Sequence, residues 1–378
     1  MRLIPDGTRY SPPQDEAWRE QLRRRLEVVL HSWGYDPVQT PALEVFNPQH
    51  PLAEKGFKLV DRDGTVLMLR GEYTTSVAQL VQTLPTPTFP MRLRYSGTLW
   101  VRTRDAELGR QREYTQVGAE LLGVETPQSD SEILSLALEC LDAVGLPQAA
   151  VEIGHPEFVR SVLAQTQLEQ GKIQALRGAI HRKNAPELQR LLLEYKVTGQ
   201  IKSAVLRLID LYGGTEVLDE ADSVAINNSA KAALENIKAV AELLPRGRFL
   251  FDLGIARGLD YYTGVIFQAY TPDFGQPLCG GGRYNAGLPA VGFAVGLERL
   301  TTVLGEAPSL ETAFAISTSS SSAKRLRTNG KRVIGAWTNK RSELEQAARA
   351  WGVPYLIDEH SVLRLSDGCR LELEDICS

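Results

Sequence analysis

The spacing of hydrophobic positions predicts a chain that mixes helices and strands. Apolar residues recur every three or four positions in residues 14–33, which predicts an amphipathic helix that ends at Gly34. Apolar and polar residues alternate over 91–104 and 111–123, which predicts two antiparallel strands. The other predicted elements are an extended segment at 35–46, a hairpin at 59–70, a helix from Thr74 or Thr75, a helix at 129–146 that starts at Ser129, strands at 149–154, 248–254, 264–270 and 290–296, and a helix from Leu297.

The middle and the end of the chain have patterns of their own. Residues from about 156 to 245 keep helical periodicity, apart from two short loops, and are predicted to form an inserted helical module. After Pro308 a serine-rich stretch and a basic run at 324–332 precede a strand, a helix and a strand. The basic run is either a solvated face or loose linker, or a binding patch. We therefore predict an α+β fold, with a core at 1–308 and a small C-terminal α/β domain at 309–378.

Composition narrows the class of protein. The chain has 378 residues, enough for two or three domains, and its 43% hydrophobic and 23% charged residues exclude a wholly disordered chain. A net charge of −4 argues against a protein that grips nucleic acid mainly through a basic face. None of the four cysteines forms a Cys-x-x-Cys pair, and the five histidines have no ligand spacing, so we expect no metal site. Without a signal peptide or an apolar run of membrane-spanning length, the expected location is the cytoplasm.

Polar residues stand at positions where a strand would aim them into a pocket. Glu72 and Thr74 share a face of extended backbone, and a carboxylate beside a hydroxyl suits an ammonium group. A turn followed by a helix cap is the alternative interpretation. Gln116 and Glu120 share one face of a strand with Gly118 between them. That face is either wet surface or a polar cavity whose floor Gly118 keeps open for a ligand.

Two further stretches combine glycine, arginine and tyrosine. They are RGLDYY at 257–262 and CGGGRY at 279–284, and the guanidinium groups of Arg257 and Arg283 suit a carboxylate or phosphate. Glycines at 280–282 let backbone approach a ligand, although glycine triplets are also common turns. The sequence GFAVGLERL leads a strand into a helix whose first turn attracts anions, or else marks tight strand-to-helix packing.

In this order and spacing, these motifs resemble the histidyl-tRNA synthetase family of class II synthetases. The segment GYDPVQTPALE is similar to the first class II motif, VRTRDAELGRQREYTQVGAE to the second and GFAVGLERL to the third, while RGLDYY and GGGRY are special to the histidyl family. The resemblance covers about residues 5–305, including the helical insertion. It implies a class II aminoacyl-tRNA synthetase-like antiparallel sheet flanked by helices, and a dimer formed through the N-terminal helix and the extended segment.

The resemblance also implies a set of binding residues. Glu72 and Thr74 would hold the α-amine of histidine, and Glu120 and Tyr262 would hold its imidazole. The full implied histidine-binding set is Glu72, Thr74, Arg102, Gln116, Glu120, Arg257, Tyr261, Tyr262 and Tyr284. Of the expected phosphate contacts of a nucleotide site, Arg102 and Arg299 remain.

The departures from the family pattern fall outside the amino-acid pocket. The second motif normally runs Phe-Arg-x-Glu-x-Pro, and here Arg104 stands where an acidic residue should face ATP. Tyr10 replaces an expected aspartate, the connection between Tyr284 and Gly292 is short, and the end domain is smaller than an anticodon-binding domain. This pattern resembles the histidyl-synthetase-like regulatory subunits of ATP phosphoribosyltransferases.

That second resemblance implies a regulatory, non-catalytic role in the first step of L-histidine biosynthesis. The implied partner is a short-form ATP phosphoribosyltransferase catalytic subunit, with this chain as a homodimer within a hetero-octamer. L-histidine would be the effector, no cofactor or metal would be needed, and tRNA and membrane would not be partners. The alternatives are an active histidyl-tRNA synthetase and a histidine-sensing binder of another partner.

Overall fold

The chain folds into two compact units, Met1–Ala307 and Pro308–Ser378, each with its own sheet. The structure, a computed structural model, describes residues 4–102, 111–255, 261–272, 274–359 and 361–376. No helix in these ranges is long and apolar enough to cross a membrane. The helices of the first unit are α1 (Pro13–Ser32), α2 (Thr74–Thr83), α3 (Pro127–Ala143), α4 (Pro156–Ala164), α5 (Gln170–His181), α6 (Ala185–Glu194), α7 (Gly199–Arg207), α8 (Glu216–Glu220), α9 (Asn228–Leu243) and α10 (Leu297–Leu304), with a 3-10 turn at Ala221–Ser223.

Most strands of the first unit form one large sheet. Its strands are β1 (Asp36–Pro37), β5 (Met91–Trp100), β6 (Glu113–Leu122), β7 (Ala150–Gly154), β8 (Tyr212–Gly213), β9 (Phe249–Asp252), β10 (Tyr262–Thr271), β11 (Phe274–Asn285) and β12 (Pro289–Gly296). Their order is β1-β5-β6-β12-β11-β10-β7-β9-β8, antiparallel from β5 to β7 and parallel at β1–β5 and β7–β9. A small separate sheet has the order β2-β4-β3, from β2 (Leu43–Val45), β3 (Lys58–Val60) and β4 (Val66–Leu69).

The large sheet has two buried faces of different character. Residues Val117, Ala119 and Leu121 of β6 join the main apolar core with buried side chains of α1 and α3. Because side chains alternate along a strand, Glu120 points to the other face. There α2 packs over a smaller cluster rich in tyrosine, with Tyr95 and Tyr284 among its buried members. A single strand therefore supplies apolar side chains to the core and one carboxylate to the opposite face.

The antiparallel class II-like core flanked by helices confirms the predicted fold class, and most predicted elements are present. Helix α3, however, begins at Pro127 instead of Ser129. The Thr126 side chain caps it by accepting from Ser129 N–H, and Ser129 Oγ accepts from Thr126 N–H. Proline fits the first turn of a helix because its missing N–H would be unsatisfied there in any case. The sequence pattern therefore predicts the start of this helix two residues too late.

The glycine triplet lies in strand β11, so the turn interpretation is wrong. No strand was predicted there because consecutive glycines give no alternating pattern. A Cβ on Gly281 would collide with the carbonyl oxygen of Gly292 on β12. A Cβ on Gly282 would lie 2.6 Å from the carbonyl oxygen of Val265 on β10. The glycines thus allow backbone to pack against backbone between neighbouring strands.

The region at 156–245 contains α4 to α9, as the periodicity predicts. One predicted loop, at 211–216, instead holds the two-residue strand β8, which pairs with β9 at the sheet edge.

The second unit is a small α/β sheet. Its elements are β13 (Ala315–Ser317), α11 (Ser320–Thr328), β14 (Val333–Gly335), α12 (Arg341–Ala350), β15 (Tyr355–Ile357), β16 (Val362–Arg364), β17 (Arg370–Leu371) and a 3-10 turn at Leu373–Ile376, in the strand order β14-β13-β15-β16-β17. The serine-rich stretch is not a loose linker: Ser319 caps α11 by accepting from Ser322 N–H. Lys324, Arg325 and Arg327 are exposed on this helix, and Arg325 pairs with Glu374 at 2.8 Å.

Candidate histidine-type pocket

The tyrosine-rich face of the large sheet contains one buried carboxylate. Glu120 is 2% exposed and accepts three side-chain hydrogen bonds. Tyr284 Oη donates to Oε2 at 2.8 Å, and Thr74 Oγ1 and Tyr95 Oη donate to Oε1 at 3.2 and 3.3 Å. The donors come from β11, α2 and β5, so the carboxylate ties the helix to the sheet.

Two glycines shape the space around Glu120. A Cβ on Gly292 would collide with Glu120 Oε2, so this glycine makes room for the carboxylate itself. A Cβ on Gly118 would collide with the hydroxyl of Tyr95. The space beside Gly118 is therefore filled by a tyrosine of the protein, and the prediction that Gly118 leaves it open for a ligand is wrong.

Glu120 holds its proton more tightly than an ordinary glutamate. Burial in this site raises its pKa to about 8, and the negative charge of Glu72 acts in the same direction. The hydrogen bonds from Tyr284, Thr74 and Tyr95 oppose the rise without cancelling it. At neutral pH the empty pocket therefore contains a largely protonated carboxyl group at its centre.

Glu72 lies two residues before α2, which begins at Thr74. Both of its carboxylate oxygens lie 3.1 Å from Thr75 N, which donates to them. The side chain of Glu72 thus caps the helix, not Thr74 or Thr75 as predicted. Burial alone would raise the pKa of Glu72, but hydrogen bonds from His50 and Thr75 outweigh burial and lower it. Environment therefore separates the two carboxyl groups into one ionised and one protonated group.

His50 belongs to this site, although the histidines show no ligand spacing in the sequence. Its Nε2 lies 3.2 Å from Glu72 Oε1, and its Nδ1 accepts from Leu52 N–H at 3.0 Å. Because Nδ1 is an acceptor, Nε2 carries the proton and donates to Glu72. The hydrogen bond to Glu72 raises the pKa of His50, with burial opposing. No spacing signal joins His50 to a residue 22 positions away, so pattern analysis had no means to find it.

Three tyrosines form one wall of the pocket. Tyr261 stacks on Tyr284 with ring centroids 5.6 Å apart and meets Tyr262 edge to face at 5.0 Å. Burial, reinforced by the charge of Glu120, raises the pKa of Tyr262 to about 12 and shifts the pKa of the other two further upward. The phenols therefore remain neutral hydrogen-bond donors at any physiological pH.

Other predicted residues lie at the margin of the cluster or outside it. Gln116 is half-buried on β6, roughly 13 Å along the strand from Glu120. Arg102 is exposed, and Arg299 is bonded to the carbonyl oxygen of Pro277 at 2.6 Å. Arg257, like Arg104, lies outside the described residues.

Arg283 does not contribute a free guanidinium to a ligand, contrary to the expectation from GGGRY. It is buried on the opposite face of β11 from Tyr284 and pairs with Asp130 at 2.7 Å. It also donates to Ser129 Oγ and to the carbonyl oxygen of Val124. These partners hold the first turn of α3 against the sheet, so the role of this arginine is structural.

The geometry favours a small molecule with several N–H groups. The carboxyl groups of Glu72 and Glu120 are close enough to influence each other, the tyrosine wall lies beside Glu120, and Thr74 at the start of α2 donates to Glu120. An ionised carboxylate suits an ammonium group, and a carboxyl group with a pKa near 8 can share a proton with an imidazole nitrogen.

Comparison with known proteins agrees with this reading of the fold. Residues 7–300 match the family Histidyl-tRNA synthetase. An ATP phosphoribosyltransferase regulatory subunit of Thermus thermophilus is 46% identical over 80% of this chain and 83% of its own length. One of Deinococcus radiodurans is 43% identical over 93% of this chain and 87% of its own length. A solved structure from Bacillus halodurans, titled an ATP phosphoribosyltransferase regulatory subunit/histidyl-tRNA synthetase, superposes with a TM-score of 0.83 at 26% identity over 95% of this chain and 98% of that chain.

These likenesses extend over the pocket and the sheet that carries it, and they confirm the resemblance inferred from the motifs. The chain therefore belongs to the family of ATP phosphoribosyltransferase regulatory subunits, which share the histidyl-tRNA synthetase fold.

Proposed function

We propose that this chain is a non-catalytic subunit that binds L-histidine. Through this binding it makes the activity of a short-form ATP phosphoribosyltransferase catalytic subunit depend on histidine. The observation that carries the proposal is the convergence of Thr74, Tyr95 and Tyr284 on the buried carboxyl group of Glu120, close to Glu72 and beside the tyrosine wall. Histidine is the feedback signal in this scheme, and the complex works in the cytoplasm without a cofactor. Transferase chemistry resides on the partner.

Histidine has one group suited to each of the two carboxyl groups, Glu72 and Glu120. Its α-ammonium pairs with Glu72 and Thr74, and its imidazole shares a proton with Glu120 and meets Tyr262. Each charge-assisted hydrogen bond contributes roughly 1.5–3 kcal/mol, and a few of them support micromolar binding of about −8 kcal/mol after ordering costs. Arg257 is proposed to meet the carboxylate, as it would in the synthetase family.

The start of α10 supports a role without ATP activation. Both oxygens of Glu298 accept from Thr115 N–H at 3.0 Å, and one also pairs with Arg19 at 2.6 Å. Arg299 is bonded to the Pro277 carbonyl oxygen. Arg299, which the family resemblance would direct to a nucleotide phosphate, is thus bonded to the protein's own backbone.

His50 is proposed to set the strength of histidine binding through Glu72. Replacing His50 by Leu removes a hydrogen-bond donor from Glu72, so its carboxylate becomes less well oriented and its pKa rises. We expect histidine affinity at pH 7 to fall about tenfold by calorimetry. The exposed His31, replaced by Leu, is the control. Equal affinities in the two variants would remove His50 from the pocket.

An apolar face of the small sheet supports dimer formation. The register places Leu43 opposite Leu69 and both Val45 and Leu59 opposite Leu67, so all five side chains lie on one face. Leu43, Val45 and Leu59 are 49%, 71% and 45% exposed. Exposed apolar patches of this kind mark association surfaces, and β2 lies within the extended segment that resembles the first class II motif.

The Val45→Glu variant is expected to shift the chain from dimer to monomer, because it places a charge on the outer strand β2 of this apolar face, where Val45 is 71% exposed. Analytical ultracentrifugation over a tenfold concentration range measures the change. Leu193→Glu on α6, where the side chain is 73% exposed, is the matched control and should leave the sedimentation coefficient unchanged. A Val45→Glu variant that sediments like the wild type would place the dimer contact elsewhere.

Co-purification tests the proposed function as a whole. The chain is co-expressed with a tagged short-form catalytic subunit, and transferase activity is assayed with and without histidine. We expect a stable complex whose activity requires this chain and falls with histidine, and a Glu120→Gln chain that still assembles but no longer responds. Charging of histidine tRNA by the purified chain would support the synthetase alternative instead. Absence of any complex would contradict the proposal.

A further inference from the structure

Three planar groups form a row beside the Glu120 pocket. They are the guanidinium of Arg70 and the rings of Tyr73 and Tyr95. The central carbon of the guanidinium lies 4.0 Å from the centroid of the Tyr73 ring. The rings of Tyr73 and Tyr95 are 4.1 Å apart between centroids and within 14° of parallel. Because one face of a ring cannot hold two planar groups at this distance, the guanidinium and the Tyr95 ring lie on opposite faces of Tyr73.

Backbone carbonyl groups fix the first member of the row. Arg70 is 5% exposed. Its Nη1 donates to the carbonyl oxygens of Thr40 at 2.7 Å and Pro41 at 3.1 Å, and its Nη2 donates to that of Thr98 at 3.0 Å. A guanidinium is planar and its donors have fixed directions, so acceptors from two separate segments hold it in one orientation.

Two glycines allow the tyrosines of the row to lie against the large sheet. A Cβ on Gly97 would collide with Tyr73 Oη, and a Cβ on Gly118 would collide with Tyr95 Oη. Gly118 lies directly opposite Tyr95 in the register of β5 and β6. Tyr73 and Tyr95 are each 4% exposed. Neither ring can tilt toward the sheet without meeting backbone, so the row is packed as one rigid unit.

The last member of the row contacts the centre of the pocket. Tyr95 Oη donates to Glu120 Oε1 at 3.3 Å, which is longer than the bonds from Thr74 and Tyr284 to the same carboxyl group. A hydrogen bond of this length has little tolerance for a further displacement of the ring. Among the described residues, Arg70 and Tyr73 do not donate to Glu120, so the stacked ring of Tyr95 is their connection to it.

We propose that Arg70 and Tyr73 are positioning residues of the histidine-type pocket, which hold the Tyr95 hydroxyl against Glu120. This inference rests on the proposed function, because histidine is the ligand whose affinity the row would set. Without the stacked Tyr73 ring, the Tyr95 ring can move away from Glu120, and the carboxyl group loses one of its three donors. A planar group at position 70 is needed to complete the row, so a lysine, which keeps only the charge, does not replace the arginine.

Calorimetric titration of the full chain with L-histidine tests the row through a double-mutant cycle. We expect Tyr73→Leu and Tyr95→Phe each to weaken histidine binding about tenfold, because each loses the same hydrogen bond. The double variant should bind no more weakly than either single variant. Tyr73→Phe keeps the stacked ring and should bind within twofold of the wild type. Arg70→Lys, expected to weaken binding like Tyr73→Leu, is a second variant should Tyr73→Leu fold poorly.

A tyrosine outside the pocket provides the matched control. Lys172 lies over the ring of Tyr195 in the helical insertion, with Nζ 5.6 Å from the ring centroid. Tyr195→Leu thus removes a ring beneath a cation without touching the row, and it should leave histidine affinity unchanged.

Denaturant unfolding gives a second readout that needs no ligand. The Tyr95 hydrogen bond lowers the pKa of Glu120 against the effect of burial, so its loss should raise that pKa above about 8. Because the folded pKa exceeds the unfolded value of about 4.3, stability falls as pH rises through this window. The fall from pH 5 to pH 9 should therefore be larger in Tyr95→Phe and Tyr73→Leu than in the wild type or Tyr73→Phe. Among the described residues, the titratable groups that face Glu120 are those of Glu72, Tyr95, Tyr261, Tyr262 and Tyr284.

Several results would overturn the positioning role. One is histidine affinity in Tyr73→Leu within twofold of the wild type. Another is an additive loss in the double variant, since Tyr73 would then act by a route other than Tyr95. Equal losses in Tyr73→Phe and Tyr73→Leu would assign the effect to the Tyr73 hydroxyl instead of the stacked ring.

The unfolding measurement separates this inference from the proposed function. A wild-type chain that does not bind histidine would contradict the proposed function, and the pH comparison would then decide the positioning role alone. A larger fall in stability in Tyr73→Leu than in Tyr73→Phe would support it, and equal falls would contradict it.

Discussion

Replacing Glu120 by Gln is expected to abolish histidine binding and, at the same time, to make the folded chain more stable at pH 8. The amide keeps the shape of the side chain and can still meet the hydroxyls of Tyr284, Thr74 and Tyr95. It cannot take up the negative charge that balances a bound imidazolium. We expect the affinity for histidine to fall at least a hundredfold, or about 2.7 kcal/mol, because a charge-assisted bond in a buried site is lost.

The gain in stability follows from the pKa of Glu120. It is about 8 in the folded chain and about 4.3 in an unfolded one. Between these values the folded state binds more protons than the unfolded state, so wild-type stability falls as pH rises through this window. The total loss is on the order of 4 kcal/mol by pH 8, and the uncharged glutamine does not incur it.

Denaturant unfolding at pH 5 and pH 8 measures this effect. The Glu120→Gln variant should differ little from the wild type at pH 5 and exceed it clearly at pH 8. Glu20→Gln, an exposed carboxylate on α1 paired only with Arg24, is the control and should follow the wild type at both pH values. An unchanged pH slope in Glu120→Gln, or histidine affinity within threefold of the wild type, would show that Glu120 is not the protonated centre of the pocket.

Loss of Arg283 is expected to damage the fold and not the ligand pocket. In Arg283→Met the carboxylate of Asp130 loses its partner while 1% exposed. Breaking a buried ion pair from one side costs about 3–5 kcal/mol, because the remaining charge is uncompensated. Burial already raises the pKa of Asp130 to about 6 with the arginine present, so without it the group should protonate at neutral pH. Because the protonated group carries no charge, the loss in free energy of unfolding should be smaller at pH 5 than at pH 8.

Matched variants separate the structural role from a ligand role. Arg299→Met removes an exposed guanidinium bonded to one carbonyl oxygen and should change the free energy of unfolding by about 0.5 kcal/mol or less. The double variant Arg283→Met with Asp130→Asn removes both charges and should recover much of the loss. A single Arg283→Met variant that unfolds like the wild type but binds histidine poorly would show that Arg283 contacts the ligand.

Helices and strands with a regular pattern of apolar residues can be predicted from the sequence. Helix α1 and strands β5 and β6 follow from apolar spacing, because each of them buries apolar side chains. The hairpin of β3 and β4 is also present where it was predicted, although β3 is exposed along its whole length. Strand β11 was missed because three glycines leave no alternation, although the same glycines allow its close packing. Periodicity indicates which side chains are buried. It gives no information about strands in which glycines allow backbone to pack against backbone.

The residues of the candidate site could likewise be predicted only in part from the sequence. Glu72, Thr74 and Glu120 were found through spacing and family motifs, and the structure brings them together. His50 was not found, because its only link to the site is a contact across the fold with Glu72. Arg283 was expected to offer its guanidinium to a carboxylate or phosphate, but it is paired with Asp130 on the opposite face of β11 from Tyr284. Neighbouring residues of a strand point to opposite faces, and no strand was predicted there.

A single sample can show whether the pocket binds histidine without activating it. L-histidine is titrated into the purified chain by calorimetry, and the same sample is assayed for histidine-dependent exchange of pyrophosphate into ATP in the presence of magnesium. We expect saturable binding near the micromolar range, lost in Glu120→Gln, and no exchange above background. Rapid exchange, or no binding of histidine to the wild-type chain, would contradict the central claim. That claim is that the chain binds histidine as a signal and does not convert it to an adenylate.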